Sequence, residues 1–192
     1  MAIQHVSRRG DTYSLYEGRT KTGKPKYYFA KKSDGALATA IPEGFEVYES
    51  PDARVSLRKI PPKIIRDEEV AIVDRAIRRV APGVHFRLDV QKNAIVVHQG
   101  EDTLSAFAEK LGPFGGLFSG RLTPDFIQQH LHFSPMFQFV LDDESTRRFS
   151  VERWCCRGGY DRWIHLATGP DLAALANQYC RHLGKESFFD LI

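Results

Sequence analysis

Over its first sixty residues the chain alternates apolar and polar side chains in short runs separated by turn residues, the two-residue period of a half-buried strand. Phe45 and Val47 alternate with Glu46 and Tyr48, and Val55 and Leu57 with Ser56 and Arg58, on either side of a "SPDAR" turn. Together with Thr12 to Glu17 and Lys26 to Lys32, the runs Phe45 to Glu49 and Arg54 to Ile60 predict four strands of a small antiparallel β unit over residues 1–62. Pro61-Pro62 cannot continue a hydrogen-bonded ladder and marks its end.

The period then changes. Val70, Val73, Ile77 and Val80 repeat at helical spacing between Asp67 and Val80, with Glu68 and Glu69 in the first turn and Arg75, Arg78 and Arg79 towards the C-terminal end, where they suit the helix dipole. Asp67 is the expected cap, Pro82-Gly83 the stop, and residues 63–83 a linking amphipathic helix. Alternation returns from Val84 to His98, predicting a hairpin. Leu104, Phe107 and Leu111 stripe a short helix, and Thr123-Pro124-Asp125 opens another to about Leu131. Strands at Met136 to Leu141, Arg148 to Cys156 and Arg162 to Ala167 form a meander. A last helix starts after Thr168, with Pro170 early in it, and Gly184 stops it. Because strands cluster in runs instead of alternating with helices, the predicted class is α+β, with residues 84–192 an antiparallel sheet packed by two to three helices.

Composition changes this picture in one respect. The 192 residues are 42% hydrophobic and 27% charged, ordinary for a folded chain. The net charge of +3 is unevenly distributed, since residues 1–62 carry 11 Lys and Arg against 7 Asp and Glu, so a polyanion is drawn first to the N-terminal part. Three cysteines without regular spacing exclude a disulfide framework. No apolar run reaches the roughly 20 residues of a membrane helix, and residues 1–10 hold no apolar core of signal-peptide length, so a cytoplasmic protein without membrane partners is expected.

The excess charge centres on Tyr13 to Lys32, where two aromatic strand candidates flank a loop of cations, Gly and Thr. Arg19, Lys21, Lys24, Lys26, Lys31 and Lys32 occur without an intervening acid, and with Tyr28 they are the candidate nucleic-acid or anion-binding residues, because cations beside stackable rings suit a phosphate backbone and its bases. A solvated hairpin has the same composition. A second concentration of chemistry lies between Glu152 and His165, where Glu152 and Trp154 share one strand parity and Asp161, Trp163 and His165 another. Glu152, Asp161 and His165 are the candidate acid-base residues there, against the alternative of core tryptophans flanked by cross-strand ion pairs.

Other features point to packing and turns. Adjacent Cys155 and Cys156 face opposite sides of a strand and cannot share an ion with ease, and His130-x-His132 is the only close histidine pair, so no metal and no cofactor is expected. Cys155 or Cys156 with His165 is the best thiol-base pairing that adjacent strands allow. The cluster "LGPFGGLFSGR" from Leu111 follows a helix and lacks the Lys and Ser/Thr of a phosphate loop, which makes it a hydrophobic connector. Asp142-Asp143-Glu144 reads as a solvated turn.

The segments "GKPKYYFAKK", "IPEGFEVYESP", "LRKIPPKII" and "RRFSVERWCCRGGYDRWIHL", followed by "HLGKESFFDLI", resemble a bacterial family of hypothetical proteins over most of the chain. The resemblance implies a bacterial, intracellular protein and no particular activity. From the residues themselves the expected function is that of a non-enzymatic binding protein whose basic β unit contacts nucleic acid or an acidic protein. The alternative is a small enzyme or ligand-binding protein built on the Glu152 to His165 hairpin.

Overall fold

Strand-length alternation and helix-length stripes become an α+β fold in the computed structural model, which describes residues 2–32, 34–101, 131–155 and 161–192. The helices expected between Leu104 and Leu131 fall, up to residue 130, outside the described residues, as do the glycine cluster from Leu111 and His130, Cys156, Arg157 and Tyr160. The chain divides into two units, the first from the N-terminus to Ile60 and the second beginning at Pro61.

In the first unit β2 (Thr12–Arg19) and β3 (Pro25–Ala30) pair antiparallel from Ser14↔Ala30 to Arg19↔Pro25. The other edge of β2 holds two strands end to end, β1 (Gln4–Val6) and β4 (Ala36–Leu37). They meet at Leu15, whose N–H donates to the Ile3 carbonyl and whose carbonyl accepts from the Ala38 N–H, both at 2.9 Å. A separate hairpin, β5 (Phe45–Glu49) with β6 (Val55–Lys59), keeps the expected register, Val47 facing Leu57. Leu15, Tyr16, Ala38, Ala53 and Val55 are buried.

Glu49 ties the start of the chain to β5. Its carboxylate contacts the His5 ring at 3.0 Å, accepts the Arg8 N–H at 3.0 Å and pairs with the Arg8 guanidinium at 3.1 Å. Burial pushes the Glu49 pKa up, but His5 and Arg8 together outweigh it and hold the carboxyl below its ordinary value. A depressed carboxylate contributes stability that is complete above the unfolded pKa, about 4.3, and is lost as pH falls through the folded one. Unfolding followed between pH 6 and pH 2.5 is therefore expected to show a loss of stability below pH 4.3 that Glu49→Gln flattens. An unchanged pH profile in that variant would contradict the assignment.

The second unit is a five-stranded antiparallel sheet in the order β11-β10-β9-β8-β7, built from β7 (Phe86–Gln91), β8 (Ala94–Gly100), β9 (Phe133–Asp143), β10 (Arg148–Cys155) and β11 (Arg162–Gly169). The expected hairpin and meander thus belong to one sheet, joined where β8 pairs with β9. Alternate residues Ile95, Val97, Phe137, Phe139, Phe149 and Val151 are buried on one face. They share a core with Val73, Ala76 and Ile77 of α1 (Asp67–Val80) and with Leu175, Ala176 and Tyr179 of α2 (Leu172–Cys180). The helix expected to link two units therefore packs its stripe into the core of the second one.

Both helix starts differ from expectation. Arg66, not Asp67, is the cap of α1, and its N–H donates to the Glu69 carboxylate at 2.8 Å, while Asp67 pairs with Lys63. Asp171 caps α2 by accepting the Ala174 N–H at 2.9 Å, which places Pro170 ahead of the helix. At Gly100 a Cβ would come within 2.9 Å of Leu131 Cδ1 and 3.2 Å of His85 Cβ, so a larger residue there would make the Leu131 side chain shift.

Candidate functional site

The β2–β3 hairpin displays its cations because its tip is a closed turn. The Thr20 N–H donates to the Lys24 carbonyl at 2.9 Å, the Gly23 N–H to the Thr20 carbonyl at 2.9 Å, and the Lys24 N–H to Thr20 Oγ1 at 3.1 Å. Gly23 supplies the left-handed backbone this requires, at φ +80°. Arg19, Lys21, Lys24 and Lys26 are all exposed around this turn, and none of the four forms an ion pair with another described residue.

The other members of the expected set have different surroundings. Tyr28 is half-buried and stacks on Tyr16 at 5.9 Å, with Lys26 Nζ 5.6 Å from its ring centre. Lys31 pairs with Asp11 at 2.7 Å and lies over the Tyr13 ring; the Asp11 hydrogen bond holds its pKa above the ordinary lysine value. Lys32 is exposed at the same end of the hairpin. At about 3.3 Å per strand residue, Lys31 and Lys32 lie roughly 17 to 20 Å along the strand from Lys26. The structure divides the expected patch into an unpaired tip of four cations and a separate, partly neutralised base.

On the β10–β11 hairpin the register sets Glu152 opposite His165, Trp154 opposite Trp163 and Cys155 opposite Arg162. The two indoles meet edge to face at 5.0 Å. Glu152 Oε2 accepts a short hydrogen bond from Gln138 Nε2 on β9, its neighbour in register. His165 is exposed and lies 3.4 Å from Thr168 Oγ1, and Asp161 is exposed just before β11. Trp154 does line a cleft of about 460 Å³, but Glu152, Asp161 and His165 do not. Of the arginines on this hairpin, Arg153 has the opposite parity to Glu152 and donates from Nε to the Leu191 carbonyl at 2.5 Å, while Arg157 lies outside the described residues.

The same parity separates Cys155 from His165, and Cys156, the other thiol considered, lies outside the described residues. Cys180 is buried in α2, and burial pushes its thiol up to about 12, so it is an unreactive packing group. Asp143 accepts from the Ser145 and Thr146 hydroxyls at 2.7 and 2.8 Å and from the Ser145 N–H at 2.8 Å; these bonds lower its pKa to about 2, and they place the acidic triplet at the end of β9, with Glu144 alone in the turn itself. Among the described residues no group of three His, Cys, Asp or Glu side chains could hold a metal ion.

One pairing escaped the sequence. His182 Nδ1 lies 2.9 Å from Ser187 Oγ just beyond α2, but Arg181 Nε donates to Nε2, which fixes the ring proton on Nδ1. That tautomer donates to the serine and cannot take its proton. Among the described residues no helix is long and apolar enough to cross a membrane. No protein-family model, curated protein or solved structure matches the chain.

Proposed function

We propose that this protein is a binding module whose β2–β3 hairpin tip holds the phosphate backbone of a nucleic acid without regard to sequence. The observation that supports it is the set of four exposed cations, Arg19, Lys21, Lys24 and Lys26, on a hydrogen-bonded turn, unpaired with any described acid. Cations already neutralised by protein carboxylates release no counterions from a polyanion and add little affinity, whereas unpaired ones contribute in full. The short turn limits the entropy lost on binding. Tyr28 supports Lys26 through its ring instead of presenting a free platform for bases, which favours backbone contact over base stacking.

The test is fluorescence anisotropy with labelled 20-nucleotide single strands and duplexes at 50 mM salt, comparing the wild type with the fourfold variant Arg19→Gln, Lys21→Gln, Lys24→Gln, Lys26→Gln. The side chains are exposed, so folding is expected to stay within about 0.5 kcal/mol. Affinity is expected to fall at least thirtyfold. Equal binding by the two proteins, or none by the wild type, would overturn the reading. Tighter competition by polyglutamate than by unlabelled DNA would identify an acidic protein as the partner instead.

A further inference from the structure

At the end of the five-stranded sheet, on the side of the 3₁₀ turn Glu186–Phe188, lies the cleft of about 460 Å³ already met at Trp154. Its volume falls within the range of small-molecule sites, roughly 300 to 1,000 Å³. Its walls come from Pro135 and Met136 of β9, the end of β10 at Arg153 to Cys155, and Phe188 and Phe189 of the C-terminal segment. These walls are preformed. Phe188 is buried edge-on against Phe137 at 5.0 Å, and Phe189 meets Phe188 edge-on at 5.4 Å.

Within this apolar lining is one cation, Arg153. Its Nε–H is fixed on the Leu191 carbonyl and its guanidinium lies 5.8 Å from the Phe188 ring centre, so the side chain is oriented from two directions. No carboxylate among the described residues pairs with it. A guanidinium held by Nε keeps its two terminal amino groups for a ligand, in the planar fork that suits a carboxylate. Phe189 is 71% exposed, an apolar ring kept at the rim where it shields little of the core. Large aromatic walls, a rim ring and one oriented, uncompensated cation are complementary to a flat apolar body carrying a single negative charge.

We infer that this cleft binds a small aromatic carboxylic acid, with the carboxylate on Arg153 and the ring system against Phe188 and Phe189. The site is independent of the hairpin tip, since it shares no residue with it. Isothermal titration of the full chain with 2-naphthoate, and with its neutral isostere 2-naphthamide, tests the assignment. The wild type is expected to bind naphthoate at least tenfold more tightly than naphthamide. Arg153→Met is expected to abolish that preference while retaining the weaker, apolar part of the binding. Phe189→Ala, which removes an exposed ring and leaves folding intact, is expected to weaken both ligands several-fold with the preference kept. Failure of the wild type to bind naphthoate, equal binding of the two ligands, or a preference that survives Arg153→Met would each overturn the inference. So would unaltered binding in Phe189→Ala, which also covers the case of an Arg153 variant that fails to fold.

Discussion

Arg147→Met is expected to destabilise the second unit by roughly 3 kcal/mol, near the lower end of what breaking a buried ion pair costs. Arg147 sits in the turn between β9 and β10, with Nε 2.8 Å from Glu69 Oε1 and an Nη 2.5 Å from Oε2, a two-point grip on the first turn of α1. A third bond reaches the Ile64 carbonyl at 3.2 Å. Glu69 is 7% exposed, so losing the guanidinium leaves a carboxylate with little access to water and only the Arg66 N–H to stabilise it. At about 2 to 4 °C per kcal/mol for a chain of this size, the thermal midpoint is expected to fall by roughly 6 to 12 °C. Replacing both partners, Arg147→Met with Glu69→Leu, removes the stranded charge and is expected to recover most of the loss. A single variant within 0.5 kcal/mol of wild type in urea denaturation would show that the pair does not anchor α1.

Phe137→Ala is expected to cost more, about 3 to 5 kcal/mol, through lost burial and the cavity left behind. Phe137 is fully buried at the centre of β9, with Tyr179 of α2 at 6.5 Å and Phe188 at 5.0 Å between ring centres. It connects the sheet, the last helix and the C-terminal turn in one cluster. The comparison that isolates this role is Phe189→Ala, the same deletion at a ring 71% exposed, expected to change stability by no more than about 0.5 kcal/mol. Equal losses in the two variants would contradict the placement of the core.

These two sites also show what the sequence could and could not disclose. The period-two runs around Val55 and Phe137 are readable as strands because alternate residues in them are buried, and the Val73–Ile77 stripe as a helix because its apolar side is. Strands β1 and β4, three and two residues long, carry too few positions to display a period, and exist because the open edge of β2 pairs with them. Glu69 looked like an ordinary first-turn acid; its burial depends on an arginine 78 positions away. Chain proximity equally overstated two groupings. Six cations in one run separated into an unpaired tip and a base partly neutralised by Asp11. Glu152, Asp161 and His165 share a hairpin, yet none of them lines the cleft at Arg153, since β10 presents Arg153 to one side of the sheet and Glu152 to the other, where Gln138 takes it up. The Arg153 cleft draws its walls from three separate segments, and the only local trace of it was the Phe188-Phe189 pair near the end of the chain.

A salt titration of oligonucleotide binding bears most directly on the hairpin tip as a phosphate-binding surface. Four phosphate contacts predict that log K falls against log salt with a slope of about −3 to −4, roughly a hundredfold loss between 50 and 200 mM. The account predicts that slope for the wild type and a slope near zero for the residual binding of the fourfold glutamine variant. Binding by the wild type that is indifferent to salt, or an equal slope in both proteins, would contradict it.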